Sequence, residues 1–187
     1  MNSKVSVIIV SYNVKEYLDH AIDSLIRTSE DSLEIVVVDN NSFDGSVEHI
    51  KNLYPDVNVL ANKDNVGFGK AVNQASKVSH GDYYLILNPD TVVQENTIST
   101  FVNYLEKNKN VGMVGPKILN SDGTLQAACK RSFPNLRVAI PKLLGFDKLF
   151  PKSEWAGKYN LTYLDPDHTC AVDAISGSCM FIRKELF

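Results

Sequence analysis

Residues Tyr83 to Leu87 form an uninterrupted apolar run, and this run constrains the fold more than any other stretch of the chain. The run is too short for a typical helix, and its aromatic and branched side chains favour a strand that is buried on both faces. Asn88-Pro89-Asp90 follows it. Because Pro89 lacks an N–H group, it cannot continue a central strand. The chain must therefore leave the sheet at this point.

Similar runs at Val5–Val10 and Ile35–Val38 predict two more buried strands, and each is followed by apolar residues at helical spacing. Asn13 with Glu16 resembles a capping box, which fixes the start of the first helix. Ser42 or Asp44 is the predicted cap of the second. Further helices are predicted within 42–53, 67–78 and 98–105, and further strands at 57–60 and 111–114. This alternation predicts right-handed βαβ units, and therefore an α/β fold with a mostly parallel sheet.

The regular alternation weakens after Gly115-Pro116. Residues 118–126 around Asp122-Gly123 predict a hairpin. Residues 127–170 show no clear period, and two late strands are predicted around Gly177. We therefore expect residues 1–115 to form one half of a single domain. Residues 116–187 are expected to be an irregular excursion followed by the last strands of that domain, incomplete at its C-terminal end.

Composition excludes several classes of protein. The 187 residues carry a net charge of −3, which does not favour nucleic-acid binding. No apolar run approaches the roughly 18 residues of a transmembrane helix, and the N-terminus is not organised like a signal peptide. The three cysteines are widely spaced, which argues against a disulfide framework or a zinc site. A reducing cytoplasm is the expected location.

Three predicted strands end in polar residues, at Ser11-Tyr12-Asn13, Asp39-Asn40-Asn41-Ser42 and Asn88-Pro89-Asp90. The carboxyl ends of parallel strands share one edge of a sheet, where open α/β sheets bind their ligands. Tyr12 could stack on a planar base, and Asp39 could accept hydrogen bonds from a base or ribose. Asp90 could hold Mg²⁺ or Mn²⁺ against phosphate groups. The alternatives are turn or helix-cap roles for the two acids and a packing role for Tyr12.

Two other nucleotide sites are disfavoured. A dinucleotide-binding fingerprint needs glycines in the first strand–helix turn, which here is Ser11-Tyr12-Asn13. Gly67-Phe68-Gly69 opens a helix, but Val72 occupies the third glycine position. The chain also contains no Gly-Lys-Ser/Thr phosphate loop.

Residues 130–152 form a basic and apolar segment in an otherwise acidic chain. The segment contains six basic residues and one acidic residue, Asp147. Such a segment could contact an anionic membrane surface or cover a phosphate-rich substrate. The favoured interpretation is a flap that packs on its own domain with its lysines directed outward, because Pro134, Pro141 and Gly145 interrupt any long amphipathic helix.

The placed motifs resemble family 2 of the nucleotide-sugar glycosyltransferases. The resemblance rests on five stretches that span nearly the whole chain: Val7–Asn13, Val38–Ser46, Asn65–Asn73, Leu87–Asp90 and Ile175–Arg183. It implies the GT-A fold, a Rossmann-like three-layer sandwich. Within the family, the chain is most similar to the bacterial branch that contains rhamnosyltransferases and other enzymes of cell-envelope polysaccharide biosynthesis.

The resemblance implies a role for each matching residue. Tyr12 would stack near the nucleotide base of the donor, with Ser11 and Asn13 beside it, and Asp39 would form a hydrogen bond with that base. Asn65 and Gly67 would lie along the sugar and phosphates. Asn88-Pro89-Asp90 stands where the family has an Asp-x-Asp element, so only Asp90 would hold the metal. The implied donor-binding residues are Ser11, Tyr12, Asn13, Asp39, Asn41, Asn65, Gly67, Asn88 and Asp90.

The resemblance also implies the reaction. It is the inverting, metal-assisted transfer of a hexosyl or rhamnosyl group from a UDP- or dTDP-sugar to a saccharide or lipid-linked acceptor. It would occur in the cytoplasm, at the inner face of the membrane. In relatives the catalytic base lies in a segment that follows the stretch matched here by Ile175–Arg183, and the sequence stops at Phe187, before that segment; nothing marks Asp165, Asp167 or Asp173 as substitutes. We therefore expect these 187 residues to bind the donor with little or no transfer.

Two alternatives belong to other classes. A module that binds nucleotides without catalysis would share the predicted pocket. A nucleotidyltransferase on a related fold is disfavoured, because its glycine-rich, basic phosphate loop after the first strand is absent.

Overall fold

A computed structural model describes residues 4–28 and 33–187 of the chain. The chain divides into two compact units. The first unit comprises the residues up to Val114 together with Gly177–Phe187, and the second comprises Gly115–Ser176. The chain thus leaves the first unit after Val114 and returns to it for its last eleven residues.

The first unit is built on a six-stranded sheet with the order β3-β2-β1-β4-β8-β5. Strands β3, β2, β1 and β4 are parallel to their neighbours, whereas β8 pairs antiparallel with both β4 and β5. The predicted α/β fold with a mostly parallel sheet is confirmed. The strands are β1 (Val5–Ser11), β2 (Glu34–Asp39), β3 (Asn58–Ala61), β4 (Tyr83–Leu87), β5 (Met113–Val114) and β8 (Cys179–Arg183), and the helices are α1 (Lys15–Thr28), α2 (Ser46–Leu53), α3 (Phe68–Ser76) and α4 (Thr97–Lys107).

Helices cover both faces of this sheet. Successive residues of a strand point to opposite faces, so Val7 and Ile9 lie in one apolar cluster and Ile8 lies in the other. The first cluster contains apolar residues of α1, α2 and α4, and the second contains those of α3. Every residue of β4 is buried. The three-layer arrangement and the doubly buried strand at Tyr83–Leu87 are therefore confirmed.

The start of α1 differs from the sequence prediction. Helix α1 begins at Lys15, and Asn13 has a left-handed backbone with φ 54°. The Asn13 Oδ1 atom accepts a hydrogen bond of 2.9 Å from the Phe43 N–H and is not used as a helix cap. The Lys15 N–H instead donates to Asp44 Oδ2 at 2.9 Å. The predicted capping box is therefore wrong. The Asn13 side chain accepts its hydrogen bond from the loop after β2, and the first residue of the helix, Lys15, donates to Asp44 of that same loop.

The second unit contains short elements. Strands β6 (Lys130–Arg131) and β7 (Ala174–Ile175) pair antiparallel, and the helices are α5 (Leu136–Leu143), α6 (Phe146–Leu149) and α7 (Glu154–Gly157). The predicted hairpin at 118–126 is confirmed: Leu119 and Leu125 form an antiparallel bridge, flanked by the hydrogen bonds Asn120 N–H to Thr124 C=O at 2.8 Å and Gln126 N–H to Ile118 C=O at 2.9 Å. Pro141 lies inside α5, whereas Gly145, with φ 75°, separates α5 from α6. Several large apolar side chains of this region are exposed. The expected packing of this segment on its own domain stays a prediction.

Gly81 lies where β4 approaches the amino end of β1. A Cβ atom at this position would lie 2.6 Å from the Ser6 backbone nitrogen and 3.0 Å from the Lys4 carbonyl oxygen. Backbone atoms cannot move aside as a flexible side chain can. We expect Gly81→Ala to lower the free energy of unfolding by about 1–3 kcal/mol, measured by urea denaturation.

Gly69→Ala is the matched control. Gly69 lies within α3, and an added Cβ would meet no atom within 4 Å. Alanine is favoured over glycine in a helix, so this variant should be as stable as the wild type or more stable by up to about 1 kcal/mol. A Gly81→Ala protein as stable as the Gly69→Ala protein would contradict the close packing at the start of β4.

Candidate functional site

The register of the parallel strands brings three predicted polar clusters to one edge of the sheet. Ser11, the last residue of β1, pairs with Asp39 at the end of β2. On the other side of β1, Ile9 pairs with Leu87, the last residue of β4. Strand β1 is therefore flanked by β2 and β4, and the strand order reverses there: β2 and β3 follow on one side of β1, and β4 lies on the other side. Such a switch point creates a crevice at the carboxyl ends of the strands.

Asp39 and Ser11 combine burial with unused hydrogen-bonding capacity. Asp39 is only 2% exposed, and its Oδ2 atom accepts a hydrogen bond of 2.8 Å from the Ser42 N–H. This contact fulfils the turn role that was the alternative for Asp39. Its Oδ1 atom, like the Ser11 Oγ atom, is buried and has no partner among the described residues. Buried polar atoms are almost always paired, so Asp39 Oδ1 and Ser11 Oγ are candidate ligand-binding atoms at this edge of the sheet.

Hydrogen bonds join the loops that follow β1 and β2. The Asn13 N–H donates to Ser42 Oγ at 2.8 Å, and the Asn13 side chain accepts from the Phe43 N–H. Asp44 receives hydrogen bonds from Lys15 and Ser46. Partial burial raises the pKa of Asp44, but the hydrogen bonds from Ser46 and Lys15 outweigh this effect and hold its pKa below the ordinary value. The two loops thus form one braced structure.

Tyr12 and Asn41 lie on these braced loops. The Tyr12 side chain is 46% exposed, so it is not an aromatic ring packed beneath a loop. Asn41 is exposed and has a left-handed backbone with φ 67°. Both residues are therefore accessible beside the buried Asp39. The register places Tyr12 at the same edge of the sheet as Asp39 and Asn88.

A partly buried amide network that sequence reasoning missed connects the end of β2 with α3. The Asn62 side-chain nitrogen donates to Asn40 at 3.0 Å and to Gln74 at 2.9 Å. Gln74 donates back to the Asn62 side chain at 3.1 Å. Asn40 is 2% exposed. Asn40 directly follows a buried strand, and this position in the sequence could have indicated a role at the site. Asn62 and Gln74 are far from Asn40 in the sequence, and no sequence pattern indicates that they contact it.

Asn65 and Gly67 lie in the loop that leads into α3. Gly67 has φ 82°, a conformation that favours glycine, and its N–H donates to the Asn65 side chain at 3.0 Å. Both residues are exposed. Since β3 pairs with β2 and ends at the same edge, the amino end of the nine-residue helix α3 follows from that edge. The first N–H groups of a helix favour anions such as phosphate.

Asn88 and Asp90 lie where β4 leaves the sheet. The Asn88 N–H donates to the Ser178 carbonyl at 2.9 Å, because the antiparallel strand β8 begins at this edge. Asp90 is exposed. Among residues 4–28 and 33–187, no group of three or more His, Cys, Asp or Glu side chains could hold a metal ion. A single carboxylate still suits Mg²⁺, which is usually bound by one or two carboxylates with substrate phosphates and water.

The three late acids are engaged within the second unit. Asp165 accepts hydrogen bonds from the Asp167 N–H at 2.9 Å and pairs with His168 at 3.0 Å, and these contacts lower its pKa. Asp167 forms an ion pair with Lys117 at 2.6 Å. Asp173 accepts from the Phe133 N–H at 3.0 Å. Each carboxylate therefore has a structural role in its own unit.

Residues 6–187 match the family model described as glycosyl transferase family 2. The chain belongs to this family. The resemblance inferred from the five sequence stretches is thereby confirmed, and the match extends over both units.

Among curated proteins, the chain is similar to the N-acetylglucosaminyl-diphospho-decaprenol L-rhamnosyltransferase of Mycobacterium tuberculosis. The two sequences are 25% identical over 198 residues, which cover 100% of this chain and 64% of that protein. The chain therefore spans a little less than two thirds of the length of this relative.

Two solved glycosyltransferase structures share the fold. TarS 1-349 of S. aureus superposes with a TM-score of 0.62 and 20% identity, covering 98% of this chain and 48% of the TarS chain. A mannosyltransferase of Pyrobaculum calidifontis, solved with GDP-Man and Mn²⁺, gives a TM-score of 0.57 and 24% identity over 64% of this chain and 36% of its own. The GT-A fold is thus confirmed for the chain.

The helices give no indication of a membrane span. Within the described ranges, none is both long enough and apolar enough to cross a bilayer.

Asn13 provides a test of the braced loops. Asn13→Ala removes the acceptor for the Phe43 N–H and also places a Cβ-bearing residue without a stabilising side chain in a left-handed conformation. We expect the free energy of unfolding to fall by about 2 kcal/mol in urea denaturation. Asn13→Gly loses the same acceptor but tolerates the backbone, so its loss should be about 1 kcal/mol. An alanine variant as stable as the wild type would show that the brace does not hold the loop.

Proposed function

We propose that the carboxyl edge of the sheet binds a nucleotide-diphosphate sugar, and that the whole protein transfers this sugar to a saccharide or lipid-linked acceptor. The observation that carries the proposal is the unpaired, buried Oδ1 atom of Asp39 at the switch point of the sheet. Membership of glycosyl transferase family 2 supports the class of reaction. The acceptor and the donor sugar are proposed as substrates of the whole protein.

The base of the donor lies at the β1–β2 side of the crevice in this proposal. Asp39 Oδ1 accepts a hydrogen bond from an N–H of the base, and the accessible ring of Tyr12 stacks against it. Base–aromatic stacking contributes about 1–3 kcal/mol. Ser11, Asn13 and Asn41 surround this position on the braced loops. The donor is a UDP- or dTDP-sugar.

The diphosphate extends from β2 across β1 towards β4. Strands in a sheet are about 4.8 Å apart, so β2 and β4 are separated by roughly 10 Å, a distance that a nucleoside diphosphate can span. Asn65, Gly67 and the first N–H groups of α3 contact the sugar and phosphates from one side. Asn88 and Asp90 contact them from the other side.

Asp90 is the proposed protein ligand of a divalent cation, Mg²⁺ or Mn²⁺. When bound, such an ion neutralises the charge of the departing diphosphate. The Pyrobaculum mannosyltransferase, a structure of the same fold, was solved with Mn²⁺ and a nucleotide sugar, which supports a divalent ion at this edge. The chain's own contribution is one exposed carboxylate at the end of a rigid strand.

The proposed transfer is an inverting displacement. An acceptor hydroxyl attacks the anomeric carbon from the side opposite the diphosphate. A new carbon–oxygen bond forms as the bond to the diphosphate breaks, and a carboxylate takes the hydroxyl proton. The name of the mycobacterial relative includes a lipid-linked diphosphate acceptor, which supports a role in cell-envelope polysaccharide synthesis. We place the reaction in the cytoplasm.

Calorimetric titration of the 187-residue chain with UDP, dTDP and GDP tests the donor site. We expect UDP or dTDP to bind, and Asp39→Asn to weaken that binding about 10- to 100-fold. The reason is that the variant loses a charged hydrogen-bond acceptor, worth about 1.5–3 kcal/mol.

Asp56→Asn is the matched control for this titration. Asp56 is an exposed acid that precedes β3, at the opposite edge of the sheet, and the variant makes the same change in charge. Its affinity should equal that of the wild type. If none of the three nucleotides binds the wild-type chain, or if both variants lose affinity equally, the proposed donor site is refuted.

A further inference from the structure

Helix α5 presents an apolar stripe to solvent. Leu136, Ile140 and Leu143 follow one another at steps of four and three residues, so they lie on one face of the helix. They are 79%, 48% and 86% exposed. The opposite face carries Val138 and Pro141, which are buried. A surface helix normally buries its apolar stripe, so the exposure of this one calls for a partner.

The two neighbouring helices also expose large apolar side chains. Leu149 and Phe150 at the end of α6 are 69% and 59% exposed, and Trp155 in α7 is 59% exposed. Helices α5, α6 and α7 pack against one another, and the Trp155 ring lies 5.8 Å from the Phe146 ring. We call Leu136, Ile140, Leu143, Leu149, Phe150 and Trp155 the apolar patch.

Basic side chains accompany the apolar patch. Residues 133–158 contain five basic and two acidic residues, in a chain whose overall net charge is −3. Arg137, Lys148, Lys152 and Lys158 are exposed. Lys142 differs, because its ammonium group lies 3.8 Å from the centre of the Tyr159 ring. The local charge is therefore positive and largely accessible.

We propose that the second unit docks on the surface of an anionic lipid bilayer through the apolar patch. Leucine, phenylalanine and tryptophan side chains bury in the headgroup region, and tryptophan is enriched at that depth. The surrounding cations attract anionic headgroups at about 1 kcal/mol each, or roughly fivefold in partitioning. An apolar anchor combined with a basic patch provides the two signals that stable but reversible membrane association needs.

Charge argues against a second copy of the chain as the occupant. A symmetric dimer places the same patch on both subunits, so its cations would face one another across the interface. Like charges in such positions oppose association. An anionic bilayer satisfies both the apolar stripe and the cations.

Flotation of the 187-residue chain with lipid vesicles tests this proposal. The assay contains no nucleotide, so its outcome does not depend on the proposed function. We expect binding to phosphatidylcholine vesicles that contain phosphatidylglycerol and weak binding to phosphatidylcholine alone. The triple substitution Leu136→Ser, Leu143→Ser and Leu149→Ser should lower partitioning at least about tenfold, because each leucine is highly exposed and contributes through lipid contact. Arg137→Gln and Lys148→Gln should each lower it about fivefold.

A second triple variant is the matched control. Tyr17→Ser, Ile26→Ser and Leu53→Ser remove apolar side chains of the first unit that are 61%, 51% and 54% exposed. This variant should bind vesicles as the wild type does, and circular dichroism should show that both triple variants are folded. The proposal fails if the wild type binds neither vesicle, binds both equally, or loses binding equally in the two triple variants. It also fails if the wild type forms dimers that the patch substitutions abolish, since a second copy would then be the occupant.

Discussion

The burial of β1 and β4 between helices on both faces of the sheet is the constraint on which the rest of the structure depends. Helices cover both faces of the sheet, so Ile8 and Leu85 are fully buried although their neighbours point the opposite way. An unpaired polar side chain is costly along such a strand. Polar residues therefore gather where the strands end, and the parallel direction of β1, β2 and β4 collects these ends at one edge. The candidate site is a consequence of how the core is built.

The edge of the sheet is braced before any ligand arrives. Asp39 uses one carboxylate oxygen to hold its own turn, and the other remains available in a buried position. Asn13 joins the loops after β1 and β2, and Asn62 joins β2 to α3. A ligand would meet side chains that are already oriented, which lowers the entropic cost of binding. This arrangement is what the proposed donor site requires of the protein.

The sequence predicted those features that local patterns determine. The strand at Tyr83–Leu87 matches its predicted bounds. A short apolar run favours a buried strand, and Pro89, two residues after the run, prevents the strand from continuing. The shared edge of the strand ends follows from parallel pairing alone. The capping box failed because the Phe43 N–H, distant in sequence, takes the Asn13 side chain. The role of each predicted site residue in ligand binding stays a prediction.

Other features depend on contacts that no local pattern encodes. Strand β8 was predicted as a strand, but its antiparallel position between β4 and β5 is set by pairing with residues far away in the sequence, such as Arg183 with Tyr83 and Ile182 with Met113. The Asn62–Gln74 contact depends in the same way on how α3 packs. Helix α5 was not predicted, because residues 127–170 show no clear period, and the exposure of its apolar side chains is visible only in the structure.

A crystal structure of the chain with UDP or dTDP and Mn²⁺ tests the central claim most directly, because manganese is located by its anomalous scattering. We predict that the base lies against Tyr12 with a hydrogen bond to Asp39 Oδ1. The diphosphate should cross β1, and the manganese peak should lie between the phosphates and Asp90. A nucleotide bound at any other edge of the sheet, or a manganese ion away from Asp90, would contradict the account.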